Sequence, residues 1–233
     1  MVLINNLDCK LLIYGSIIKN MNIAELIAEI QKYDKFSDVA LIRKAYEFAK
    51  EAHKGQKRES GEDYITHPLQ VASILVELLK ADGASVCAAL LHDVVEMCGI
   101  ETKEIQKEFG EEIANLVEGL TKKSKIAFES RAEQNAENLR RMLIATTKDI
   151  RIILVKLADR LDNLTDVILL IEQDSSRLAW AQHYVDDSKY VLQAFNYLMK
   201  ENRFDIKSSS GELLLNIVEK MVEIEEGLKN YEL

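Results

Sequence analysis

The chain has 233 residues, 48% of them hydrophobic, a formal charge of −9, one proline and nine glycines. That is enough apolar material for a sizeable core, and so little punctuation favours long helices over a many-turned β architecture. The negative charge excludes a broad footprint on a phosphate backbone, so no nucleic-acid partner is expected, although cations gathered locally can still hold a small anion.

Cys9, Cys87 and Cys98 have neither disulfide nor ligand spacing, which fits reduced thiols in a cytoplasmic protein. The apolar run from Leu11 to Ile18 is too short to span a bilayer and lacks the flanks of a signal peptide, so no membrane partner is expected. Residues 1–20 read as a loosely attached extension, and 21–233 as one all-α domain.

MNIAELIAEIQKY, from Met21, predicts a first short helix. SDVALIRKAYEFAKEAH predicts a second, with Val39, Ile42, Ala45, Tyr46, Ala49 and Ala52 near helical spacing. GQKRESGEDYIT is polar, contains two glycines and reads as a loop. Pro68 suits a first helical position, which makes His67 the cap of a helix reaching about Lys80 and stopped near Gly83. One further helix, ending at Gly99, contains LLHDVVEM. ETKEIQKEFGEEIANLVEGL predicts two short helices bending near Gly110. Ser130 and Glu133 form a capping box ahead of RAEQNAENLRRMLIATT. KDIRIILVKLADRLDNLTDVILLIEQ is the most apolar helix, with Asp159 in its middle. Two more helices follow, at about 175–202 and 210–230, the last opened by a capping box of Ser209 and Glu212.

Three polar islands interrupt this apolar pattern: His67 at a helix mouth, the adjacent His92 and Asp93, and Asp159. Burying such groups is costly unless each finds a partner or an ion. Taken singly, each is a buried polar residue with its own hydrogen bonds; taken together they point to one shared cation. Imidazole nitrogens mixed with carboxylate oxygens suit manganese, iron or zinc. On one helix, His92, Asp93 and Glu96 are spaced to overlook a single pocket, and Asp159 and Asn163 share a face in the same way.

The blocks GQKRESGEDYITHPLQVASIL, AALLHDVVE, EFGEEIANLVEGLTK and AENLRRMLIATTKDIRIILVKLADRLDNL, in that order over roughly residues 39–170, resemble the HD-domain hydrolases of the RelA/SpoT type. These remove pyrophosphate from the 3′ side of the alarmone (p)ppGpp. The resemblance implies an HD-type helical bundle in the stand-alone small alarmone hydrolase form, with helices 175–230 following the motif core. It implies His67, His92, Asp93 and Asp159 as ligands of one Mn2+, or of another divalent transition metal. It further implies Arg58 against the guanine base, Ser60 and Asn163 near the nucleotide, and Glu96 handling the attacking water. His53 is expected to take a packing or loop-bracing role rather than to ligate the ion. Lys54, Lys57, Lys156 and Arg160 are candidates for phosphate contact, with ordinary solvated surface charge as the preferred expectation.

The chain departs from the family pattern at three places: Met97 where an aspartate usually follows the glutamate, Glu59 where many members have lysine, and Asp162 where many have histidine. Methionine cannot accept a proton, and the other two changes add negative charge where phosphates would bind. Beside (p)ppGpp hydrolysis to GDP or GTP stand two alternatives: another phosphorylated nucleotide as substrate, or a metal- and nucleotide-binding module without turnover. The expected partner is a guanine nucleotide, and a homo-oligomer is left open.

Overall fold

The computed structural model describes residues 21–121, 130–174, 177–201, 218, 219, 221 and 222. The described elements are α-helices: α1 Ile23–Tyr33, α2 Val39–Ala52, α3 Thr66–Leu79, α4 Gly83–Leu91, α5 Val94–Cys98, α6 Thr102–Phe109, α7 Glu111–Leu120, α8 Arg131–Lys148, α9 Arg151–Gln173 and α10 Leu178–Lys200. Residues 1–20 and the Ser209–Glu212 capping box lie outside the described residues.

Local chemistry starts these helices where polar side chains can take up free backbone N–H groups. Asn22 and Glu25 form a reciprocal capping box on α1. Asp38 caps α2 by accepting from the Leu41 N–H, and Asp82 caps α4 by accepting from that of Ser85. Ser130 caps α8 by accepting from the Glu133 N–H, as its sequence predicts. Gly110, at φ 88°, separates α6 from α7 in a backbone region that side chains rarely adopt.

Packing arranges the rest around α3 and α4, which are apolar on nearly every side. Ile74 and Leu75 of α3, and Leu90 and Leu91 of α4, are fully buried. Helix α3 packs on α1, α4 and α9; α4 packs on α2, α3 and α7; α9 also meets α7, α8 and α10. Truncating one of these buried leucines or isoleucines to alanine costs about 2–5 kcal/mol. The seam between α7 and α9 is tight at Gly119, where a methyl group would stand 2.4 Å from Ile152 Cδ1.

Two expectations are corrected. His67 does not cap α3; it is the second residue of that helix, after Thr66. The helix expected to run through to Gly99 is broken: α4 ends at Leu91 and α5 begins at Val94. The Ala89 carbonyl, whose partner in an unbroken helix is the Asp93 N–H, accepts the His92 Nδ1–H at 2.7 Å. His92 and Asp93 therefore sit in a corner rather than on a continuous helical face.

Candidate metal centre

Three buried helices deliver the central cluster. His67 comes from the first turn of α3, His92 from the corner after α4 and Asp159 from the middle of α9. Each is at most 2% exposed. One ligand atom from each lies within 4.8 Å of the other two. His67 Nε2 is 3.4 Å from Asp159 Oδ1 and 3.7 Å from Asp93 Oδ2, while His92 Nε2 is 3.2 Å from Asp93 Oδ2 and 3.9 Å from Asp159 Oδ1. The four residues implied as ligands are thus brought together.

The donor chemistry fits a cation. A carbonyl oxygen can only accept, so His92 Nδ1 carries a proton toward Ala89 and Nε2 is the nitrogen whose lone pair can face a cation. That Nε2 is buried and has no hydrogen-bond partner, although two carboxylate oxygens stand beside it. Lone pairs facing one another in a dry site repel unless something positive lies between them, and a divalent ion meets that need.

The field at the cluster favours positive charge. Burial would lower the pKa of His67, but hydrogen bonds to Asp159 and Asp162 lift it to about 9. Burial would likewise raise the carboxyls, yet His92 and His67 hold Asp93 well below the usual range. Arg160 and Lys156 do the same for Asp159.

Around the cluster lies a ring of supporting groups. Lys156 Nζ donates to Asp159 Oδ2 at 3.1 Å, Arg160 donates to both oxygens at 2.9 and 3.1 Å, and the Asn163 amide donates to Oδ1 at 2.6 Å. The Tyr64 hydroxyl donates to Asp93 at 2.6 Å, and the His53 ring stacks on Tyr64. His53 is also bonded to Gln56 at 2.8 Å, which is the expected bracing of the loop. Asp162 accepts from His67 Nδ1 at 2.6 Å and from Arg58 Nη1 at 2.7 Å, and Asp166 pairs with the other terminal nitrogen of Arg58 at 2.8 Å.

A cleft of about 450 Å3 opens over this floor, lined in part by Arg58, Glu59, Tyr64, Glu96, Met97 and Asn163. Glu96 stands exposed at the rim, and Met97 is 48% exposed beside it. Ser60, expected near the nucleotide, is exposed on the loop and does not line the cleft.

The expectation of solvated surface charge holds for Lys54, which is exposed and pairs with Glu51, whereas Lys57, also exposed and paired with Asp63, lines the cleft. It fails for Lys156 and Arg160, which are buried against Asp159. Sequence reasoning also missed Tyr64 and Asp166 as parts of the site, and for Asp162 it saw the added charge but not the contacts to His67 and Arg58. Asp162 and Asp166 did carry a signal, lying three and seven residues after Asp159 on one helix.

The chain is similar to known proteins over most of its length. A family model described as HD domain matches residues 45–185. The chain is 44% identical over 155 residues to the GTP pyrophosphokinase rsh of Brucella melitensis, covering 66% of this chain and 20% of that protein. It is 42% identical over 149 residues to guanosine-3′,5′-bis(diphosphate) 3′-pyrophosphohydrolase of Vibrio cholerae, covering 64% and 21%. The chain therefore spans about a fifth of the length of these curated relatives. A solved structure described as a metazoan ortholog of SpoT that hydrolyzes ppGpp matches with TM-score 0.55 and 26% identity, over 78% of this chain and 95% of that one.

Proposed function

The chain belongs to the HD-domain family, and from that premise we propose that it is a metal-dependent hydrolase removing pyrophosphate from the 3′ position of (p)ppGpp, leaving GDP or GTP. The observation that carries this reading is the convergence of His67, His92 and Asp159, with Asp93 alongside and the buried His92 Nε2 lacking any hydrogen-bond partner. The solved neighbour described as hydrolyzing ppGpp supports it, being covered almost throughout.

His67, His92, Asp93 and Asp159 would hold the ion, and Mn2+ suits this mixed set while leaving coordination positions open for water and substrate. When bound, such an ion supplies Lewis acidity toward a phosphoryl oxygen and a water of lowered pKa. The chain's own groups do the remaining work. Tyr64 holds Asp93 in place through its hydroxyl. Glu96, at the cleft rim, accepts the proton that the attacking water loses. Arg58, anchored by both terminal nitrogens, keeps a flat cationic face for a purine. Arg160 neutralises Asp159 and also lines the cleft, where it offers positive charge to a phosphate. The free thiols Cys87 and Cys98 suit a reducing, cytoplasmic setting.

A second reading, another phosphorylated nucleotide as substrate, draws support from the lining itself. Five carboxylate residues, Glu59, Asp93, Glu96, Asp166 and Asp187, face three cations, Lys57, Arg58 and Arg160. Such a cleft is a poor match for a ligand with many phosphates unless the ion offsets the charge. Incubating the purified protein with ppGpp and Mn2+ and measuring pyrophosphate decides between them. Release of pyrophosphate with GDP, lost in Asp159→Asn, is the expected result. Cleavage of other nucleotides alone moves the assignment to the second reading, and binding without turnover removes the enzymatic one.

A further inference from the structure

Asp162 neither belongs to the cation-facing cluster nor lines the cleft, yet it touches both. Its Oδ2 accepts from His67 Nδ1 at 2.6 Å and from Arg58 Nη1 at 2.7 Å. All three side chains are nearly dry, at 8% exposed for Asp162, 3% for His67 and 10% for Arg58. We infer that Asp162 is a positioning residue whose single oxygen ties the cation-binding imidazole to the arginine wall of the cleft.

Donor and acceptor roles fix what this oxygen can do. A carboxylate facing Nδ1 fixes the proton there, so Nε2 is the nitrogen presented to Asp93 and Asp159, and the ring cannot rotate without losing a charge-assisted hydrogen bond. The same oxygen holds one terminal nitrogen of Arg58, while Asp166, one turn later on α9, holds the other. The two aspartates therefore have different duties. Asp162 serves both the ion and the arginine, and Asp166 serves the arginine alone. The shared oxygen also explains how a negative residue is accommodated beside a phosphate site, because its charge is spent on two donors that are already there.

The test separates these duties, and only its substrate arm rests on the function proposed above. Free Mn2+ is followed by electron paramagnetic resonance in titrations of the wild type, Asp162→Asn and Asp166→Asn. Asp162→Asn is expected to weaken Mn2+ binding by roughly 10–100-fold. Asp166→Asn is expected to leave Mn2+ binding unchanged. With Mn2+ saturating and ppGpp as substrate, both variants are expected to raise KM.

Unchanged Mn2+ affinity in Asp162→Asn overturns the inference, as does an equal loss in Asp166→Asn. A merely structural Asp162 would lower the thermal midpoint of the apo protein and leave the Mn2+ affinity of the folded protein alone, so circular dichroism accompanies each titration. If Asp162→Asn does not fold, Asp162→Ser, which also removes the carboxylate, takes its place with the same expectations. A wild type that binds Mn2+ but spares ppGpp ends the functional proposal while the Mn2+ arm still decides the role of Asp162. A wild type that binds no Mn2+ ends both.

Discussion

Helix α9 carries two clusters of opposite charges, about two turns apart, and they differ mainly in depth. At its start, Arg151 reaches Asp149 at 2.7 Å, Glu112 at 2.8 Å and Asp82 at 3.0 Å. Arg151 is 23% exposed, and its partners Asp82 and Glu112 are 50% and 63% exposed. In its middle, Asp159 meets Lys156, Arg160 and His67 with almost no solvent access. The first cluster cross-links α4, α7 and the α8–α9 turn in high dielectric, where each pair contributes about 0–1 kcal/mol. The second pays a desolvation cost that its Coulomb energy need not recover, and such an arrangement is retained where chemistry needs it. Depth, rather than the number of salt bridges, separates a structural clasp from a site.

The sharpest way to break the contrast is to remove Asp159. Asp159→Ala leaves Lys156 and Arg160 buried beside a missing anion, which should cost about 3–5 kcal/mol in denaturant unfolding and abolish pyrophosphate release. Asp159→Asn keeps the shape and should lose activity and Mn2+ binding with a smaller stability penalty. Equal stability of Asp159→Ala and wild type would show that Lys156 and Arg160 do not depend on Asp159 for their burial.

Between the extremes stands the rim, which should affect rate without affecting stability. Glu96→Gln is expected to lower kcat by about 100-fold, with the thermal midpoint and Mn2+ affinity unchanged. Met97→Asp, placing a second acidic group beside Glu96 on the cleft rim, should raise kcat; an unchanged or lower kcat removes the account in which Glu96 works without its usual neighbour.

The surface cluster should yield the smallest effects. Arg151→Ala is expected to destabilise by about 1 kcal/mol, more at low salt than at high, with kcat intact. Its pH dependence has a definite sign. The Arg151 guanidinium, hydrogen-bonded to Asp149, holds that carboxyl below its ordinary value. A lowered folded-state pKa means stability that is present above the unfolded pKa, near 4, and lost as pH falls through the folded value. The gap in unfolding free energy between wild type and Asp149→Ala should therefore be widest at neutral pH and close under acid; a gap that widens below pH 4 would reverse the assignment.

Most helices were legible because their apolar residues recur at helical spacing, as Ile42, Ala45 and Ala49 do, and because Ser130 announces the start of α8. The break at His92–Asp93 was not, because no glycine or proline marks it; it is made by a side-chain bond to the Ala89 carbonyl. His67, His92, Asp93 and Asp159 stood out as polar residues in apolar runs, a pattern that survives without coordinates. Lys156 and Arg160 misled, because long cationic side chains are ordinarily solvated and only the depth of Asp159 draws them in. Asp162 was noticed as an extra negative charge, while its two donors come from positions 95 and 104 residues away in the chain.

The loop carrying Arg58 has a consequence for how such a cleft changes. Lys57 and Asp63 face each other in an antiparallel bridge, and Arg58 and Glu62 close a tight turn with Gly61 at φ 89°. Everything beyond that clasp is held in register: the Tyr64 N–H bonds the Gln56 carbonyl, and His67 follows in the first turn of α3. Residues inserted at Glu59 or Ser60 would thus lengthen a fingertip while the knuckle below it stays put. The cleft therefore has one wall that can be retailored, generation by generation, with the buried cluster of His67, His92 and Asp159 left undisturbed.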